Sequence, residues 1–147
     1  MIHFHDQNDS FEFALAMQEG DETPAEGDAC VTLKIVSAGF AGYNHLWVEA
    51  RSLRKFCRDL LRLAKERQGS AKMEGMGPDE MEIVVVRSID ALGHMIVEGT
   101  TGRKVQGERG LRLHSITFGF EFDPSQLNEV ERVPWVVHNA GQVAAGP

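Results

Sequence analysis

One apolar stripe constrains this chain more than any other feature of its sequence. Leu53, Phe56, Cys57, Leu60, Leu61 and Ala64 fall at i, i+3, i+4, i+7, i+8 and i+11, the spacing that gathers side chains on one face of an α-helix. The stripe predicts a helix over 52–67, about 24 Å long at 1.5 Å per residue, and Gly69 stands where such a helix stops. The other apolar runs alternate with a period of two, the mark of half-buried strands. Phe11, Phe13, Leu15 and Met17 form one such run, and Val31, Leu33 and Ile35 another. Gly39-Phe-Ala-Gly42 turns the latter into Tyr43 to Glu49, a hairpin pattern.

Further along, 71–74 and 80–89 flank a Gly75 to Asp79 turn and read as a second hairpin, and 90–93 turns into a strand over 94–99. Gly99, Gly102, Gly107 and Gly110 mark a long loop leading into a strand over 111–122. There Ile116, Phe118, Phe120 and Phe122 share one phase and Leu111 and Leu113 the other, which predicts a bulge near Ser115 or burial on both faces. Asp123 followed by Pro124 is a capping residue with proline at the first helical position, and opens a short helix toward Val130. The connections 37–42, 75–79 and 90–93 are too short for parallel crossovers. The expected fold is therefore α+β: a single, mostly antiparallel sheet of six to eight strands packed by one long helix. One domain over 1–138 and a small polar tail over 139–147, mobile unless something holds it, complete the expectation.

Charge and composition narrow the function classes. The 147 residues carry a net charge of −7, which disfavours nucleic-acid binding, since that needs a basic footprint. No apolar run approaches the length of a membrane helix; the longest strongly apolar stretch is Ile83 to Val86. Met1 to Asp6 lacks the regions of a secretory signal. With only Cys30 and Cys57 present, a cytoplasmic protein with free thiols is the expectation.

Gly102-Arg-Lys-Val-Gln-Gly107 has the glycine spacing of a phosphate loop, but Glu108-Arg109 follow where Lys and Ser/Thr are needed; a hairpin loop is the better reading. His3 and His5 share a face if their segment is extended, and are the candidates for a metal site. Zinc wants three or four ligands and no second pair stands out, so no metal and no cofactor are expected. His45, His94 and His114 lie in predicted strands, and Asp90 with His94 forms either a general base or an ordinary Asp turn, the turn being favoured. No catalytic residue is assigned.

Charge is segregated. Residues 1–30 hold eight acids and no Lys or Arg, whereas 51–67 hold seven bases against two acids. Arg54, Arg58 and Arg62 share one helix face, either a solvated surface neutralised by the acidic segment or a docking surface. Tyr43, His45 and Trp47 point to one side of their strand and Leu46 and Val48 to the other. If the helix covers the Leu46 side, the aromatic stripe is left open as a binding surface; the alternative is that Trp47 is core.

Taken in order, Gly39-Phe-Ala-Gly42-Tyr-Asn-His-Leu-Trp47-Val-Glu49, Leu53-x-x-Phe56-x-x-x-Leu60, Ile89-Asp90 with Gly93-His94-Met-Ile-Val97, and Phe118-x-Phe120-x-Phe122-Asp123-Pro124-Ser125-x-Leu127 resemble the WapI-like immunity proteins and related small bacterial domains. The resemblance spans about residues 11–131. It implies a small antiparallel sheet packed by a helix, no cofactor, and neutralisation of a toxin by binding. The expected function is thus a cofactor-free protein-binding domain, not an enzyme. Its expected partner is a protein, a toxin domain among the candidates, or a second copy in a homodimer. Tyr43, His45, Trp47, Arg54, Arg58 and Arg62 are the partner-binding candidates. The alternatives are a small hydrolase-like enzyme using scattered His and Asp residues, and a structural homo-oligomer.

Overall fold

A computed structural model describes residues 1–18, 27–76 and 80–145. The chain is α+β, as expected, but the eight strands among the described residues form two antiparallel sheets rather than one. The first is a meander of β1 (Ile2–Asp6), β2 (Asp9–Gln18), β3 (Ala29–Ser37) and β4 (Phe40–Val48). Helix α1 (Ala50–Glu66) then leads to the second meander, β5 (Ser70–Glu74), β6 (Glu80–Ser88), β7 (Met95–Gly107) and β8 (Gly110–Phe122). A 3-10 helix, η1 (Pro124–Arg132), and α2 (Pro134–Ala145) close the chain. No helix among the described residues is long and apolar enough to cross a membrane.

The alternating patterns explain how the layers meet. Phe11, Phe13, Leu33, Ile35, Leu46 and Val48 are buried on the inner face of the first sheet. Met73, Val84, Val86, Val97, Phe118, Phe120 and Phe122 are buried on that of the second. Helix α1 inserts Leu53, Phe56, Cys57, Leu60 and Leu63 into the same core. Burial pushes the Cys57 thiol up to about 12, so it behaves as a small hydrophobe, and Cys30 and Cys57 are not joined in a disulfide.

Ring contacts fix how the sheets cross. Phe4 of β1 stacks on Phe122 at 4.2 Å, and Phe11 of β2 on Phe118 at 5.9 Å. Gly42 of β4 approaches Ile116 so closely that a Cβ there would lie 2.9 Å from its Cγ2. Strand β8 therefore passes beneath β1, β2 and β4 in turn, the near-perpendicular arrangement of sheet packing. Residues 110–115, toward its start, are exposed.

Local chemistry ends α1 and starts η1. The Asp28 carboxylate accepts the Ala50 N–H at 2.7 Å, placing a negative charge at the helix N-terminus. Arg67, not Gly69, takes the left-handed capping conformation (φ 61°), and its N–H returns to the Leu63 carbonyl. Its guanidinium then bonds the Pro124 carbonyl and Asn128 Oδ1, tying the end of α1 to η1. Asp123 Oδ1 accepts the Ser125 N–H at 2.9 Å, the expected cap.

Three expectations are corrected. Met17 does not continue the buried phase of Phe11 and Phe13: a register shift between Leu15 and Met17 turns it outward, 56% exposed. The same bulge turns Gln18 inward, where it exchanges hydrogen bonds with the wholly buried Asn139. The segment from 139 is accordingly no loose tail but the second half of α2, through Ala145. Finally, the glycine-rich loop is strand. β7 and β8 pair without a shift from Met95↔Phe122 to Gly107↔Gly110, so there is no bulge near Ser115, and Leu111 and Leu113 are exposed rather than buried on a second face. The turn residues 77–79 and the acidic segment 19–26 lie outside the described residues.

Candidate interaction surfaces

Three surfaces emerge from this frame. The first is the outer face of β4. Asn44, Leu46 and Val48 point into the core, so the intervening Tyr43, His45 and Trp47 point out; Tyr43 is 68% exposed, His45 is exposed and Trp47 half-buried. Their β3 partners on the same face are Lys34, Thr32 and Cys30. The strand is held rigidly from behind: Asn44 Nδ2 donates to Thr101 Oγ1 at 3.0 Å and to the Gly102 carbonyl, while its own Oδ1 accepts the His45 N–H. Arg103 Nη2 donates to the His45 carbonyl at 3.0 Å.

The second is the exposed side of α1. Arg54 and Arg58 are half-buried and Arg62 is exposed. Asp59 sits among these cations, 2.6 Å from Lys55 Nζ and 3.9 Å from Arg62 Nη1. The structure does not bring this surface to the aromatic one. α1 packs on the inner side of the first sheet, through Phe56 against Phe13 at 5.8 Å, and the three β4 residues leave from the outer side.

The third was missed in the sequence. Among the described residues, strand β6 pairs with β7 as far as Arg103, opposite Glu80. Beyond it β7 and β8, alone among the described residues, continue as a two-stranded arm turning at Glu108-Arg109. Val105, Leu111 and Leu113 are 46%, 56% and 47% exposed on this arm. Its basic residues Arg103, Lys104, Arg109 and Arg112 stand against Glu108 alone, giving +3. The signal was present in Val105, Leu111 and Leu113 flanking a two-residue Gly107-x-x-Gly110 turn.

The titratable candidates separate. His94 Nδ1 lies 2.6 Å from Asp90 Oδ2, while Asp90 Oδ1 accepts the Leu92 and His94 N–H groups. That is the turn chemistry expected of Asp90. A cleft of about 390 Å3 beside the pair is lined by Asp6, His94, Glu121 and Asp123 with Met95, Phe122 and Pro124. His45 does not join it. Arg103, which reaches the His45 carbonyl, is nine residues along from His94, roughly 30 Å in extended chain. His114 lies on the arm, opposite Arg103. His3 and His5 do share the outer face of β1, rings 5.2 Å apart, with His3 Nε2 3.1 Å from Ser10 Oγ. Among the described residues no group of three or more His, Cys, Asp or Glu is placed to hold a metal ion.

The Asp90 hydrogen bond raises the His94 pKa above its ordinary value, with the Asp90 and Glu121 charges acting the same way, and the same bond lowers that of Asp90. A raised histidine pKa contributes stability below about 6.5 that is lost as pH rises through the folded value; a lowered carboxylate pKa contributes above about 3.9 and is lost as pH falls. The pair therefore supports the 90–94 turn most between about pH 4 and 6.5. Asp90→Asn should return the His94 titration, followed by NMR of the ring protons, to the ordinary histidine range; an unmoved midpoint would show that Asp90 does not set it.

No family model, no curated protein and no solved structure matches the chain. The resemblance to the WapI-like immunity proteins therefore rests on the sequence motifs alone.

Proposed function

We propose that this chain is a cofactor-free protein-binding domain that engages its partner through the outer face of β4. The observation that carries this reading is the Tyr43–His45–Trp47 stripe: two large aromatic side chains and an imidazole presented to solvent from a strand locked on its inner side by Asn44. Rigid, exposed aromatic residues supply most of the energy of protein interfaces at little entropic cost. The immunity-protein resemblance narrows the partner to a toxin domain, whose activity the bound chain blocks. Arg54, Arg58 and Arg62 act separately, steering an acidic surface toward the molecule.

Tyr43→Ala and Trp47→Ala should each weaken binding to the purified native partner about thirtyfold, while the melting temperature moves little because neither side chain is core. Arg58→Glu with Arg62→Glu should instead flatten the salt dependence of association. Wild-type affinity in both aromatic variants, or unfolding of Trp47→Ala with no separable binding defect, would remove β4 as the site.

A further inference from the structure

Four strand edges bound the two sheets, and three carry contacts. On β4 the Trp47 carbonyl accepts the Met76 N–H and the His45 carbonyl accepts Arg103. On β1 the Gln126 side-chain amide bonds both the N–H and the carbonyl of His5. β5 has α1 packed against it. The fourth, the outer edge of the 13-residue β8, receives no backbone hydrogen bond from any described residue. A long bare edge is a template for another strand.

The fold roofs that edge. Asn44 sits over Thr101 and Gly102 of β7, and Gly42 over Ile116 of β8. Two residues further out, Phe40 reaches roughly 6–7 Å past β8, whereas one added strand needs about 4.8 Å. Phe40 has the inward phase of Leu46 and Val48 yet is 69% exposed, because the second sheet ends before it. Ladder pairings carry the same overhang across the first sheet to Asp9 of β2 and Asp6 of β1. The roof is thus apolar at its β4 end and acidic at its β1 end.

β8 has the complementary polarity. Arg109 and Arg112 lie at its arm end, while Glu121 and Asp123 lie at the other end, beside Asp6. Outside the arm the remaining residues carry −10, the arm's +3 bringing the chain to −7. A strand basic at one end and acidic at the other complements itself when two copies run antiparallel and repels itself when they run parallel.

We propose that β8 pairs with β8 of a second copy, antiparallel about a two-fold axis near Ile116, joining the two second sheets into one eight-stranded sheet. Full overlap of 110–122 places Arg109 opposite the second copy's Asp123 and Leu113 opposite its Gly119, where no side chain competes for space. Arg112 faces inward under the second copy's Asp6 and Asp9, and Ile116 meets its Phe40. The arms, ribbons of two strands that are marginal alone in water, each gain a third strand. The two-fold makes every contact occur twice.

The test is charge exchange on the full chain, read by sedimentation at low and high salt. Wild type should sediment as a dimer of the 16.3 kDa chain that weakens with salt. Arg109→Glu with Arg112→Glu, and separately Asp6→Lys with Glu121→Lys, should each weaken the dimer at least about thirtyfold. Mixing the two variants should restore it, since each acidic arm then meets a basic cleft and each basic arm an acidic one. Phe40→Ala should also weaken the dimer without lowering the melting temperature. Amides on the outer edge of 110–122 should exchange slowly in the dimer and fast in the variants. A monomeric wild type, a dimer indifferent to both charge pairs, or a mixture that stays monomeric would each overturn the proposal. None of these results bears on binding through Tyr43 and Trp47, which the β4 variants test separately.

Discussion

Phe13→Ala should lower stability by about 3–5 kcal/mol, the cost of deleting a ring from a core that cannot fully close over the gap. Phe13 is 0% exposed and stands where three elements meet. Its ring lies 6.2 Å from Phe11 in its own strand, 5.8 Å from Phe56 of α1 and 5.7 Å from Trp135 of α2. Truncation withdraws support from both helices at once, so neither can relax into the hole without leaving the other. For a domain of this length that loss should lower the melting temperature by roughly 10–20 °C. Phe40→Ala removes the same side chain from a 69% exposed position and should stay within about 0.5 kcal/mol of wild type. Calorimetry on the pair checks the contrast. Equal shifts would mean that the three-way joint at Phe13 is not what holds the helices to the sheet.

The joint was only half legible in the sequence. The α1 stripe was, because six apolar positions at helical spacing admit no strand: the expected 52–67 compares with Ala50–Glu66 in the structure. The shared phase of Phe11 and Phe13 was legible, and so was that of Tyr43, His45 and Trp47 opposite Leu46 and Val48, since alternation along a strand separates its faces; which face of β4 is open was not, because that depends on where α1 packs. Alternation does not say which strands share a sheet. The short links 37–42, 75–79 and 90–93 fix pairing within 29–48 and within 70–122, but α1 stands between these groups, and nothing local says whether β5 continues the first sheet or starts a second. Bulges are equally silent. One extra residue at Leu15–Met17 reverses the side of Met17 and brings Gln18 to Asn139, and neither residue shows it in advance. α2 escaped because its small residues form no stripe; Val136 and Asn139 hold it through burial, against elements distant in sequence.

The arm was hidden by its glycines, which were read as loop; two of them, Gly99 and Gly102, prove to be places where strands approach too closely for a side chain. Gly99→Ala is the sharpest consequence. A Cβ at Gly99 would lie 2.1 Å from the Ile83 carbonyl oxygen and 3.1 Å from the Val84 Cα. Both are backbone atoms of β6, and Val84 is the ladder partner of Gly99. Neither can withdraw without opening the central pairing of the second sheet, so the cost should reach or exceed about 3 kcal/mol, the upper end of overpacking effects. Gly102→Ala meets the His114 carbonyl at 2.5 Å and the Ser115 Cβ at 2.7 Å. Those atoms belong to β8 where the arm departs, with no described strand of the same chain beyond them to resist. That variant should lose less stability than Gly99→Ala but splay the arm. At Gly119 the nearest atom is the Glu98 Cβ at 3.3 Å, so the two strands need part by only a few tenths of an ångström. Gly119→Ala should therefore change stability by less than about 1 kcal/mol, part of any strain being offset by a stiffer unfolded chain. The expected order of melting temperatures is Gly119→Ala highest, Gly102→Ala intermediate and Gly99→Ala lowest. Hydrogen exchange should show lost protection along β6 and β7 in Gly99→Ala but only beyond Arg103 in Gly102→Ala. Should Gly99→Ala melt with Gly119→Ala, the close approach of β6 to β7 would not be a constraint on the sequence. These glycines would then need another explanation.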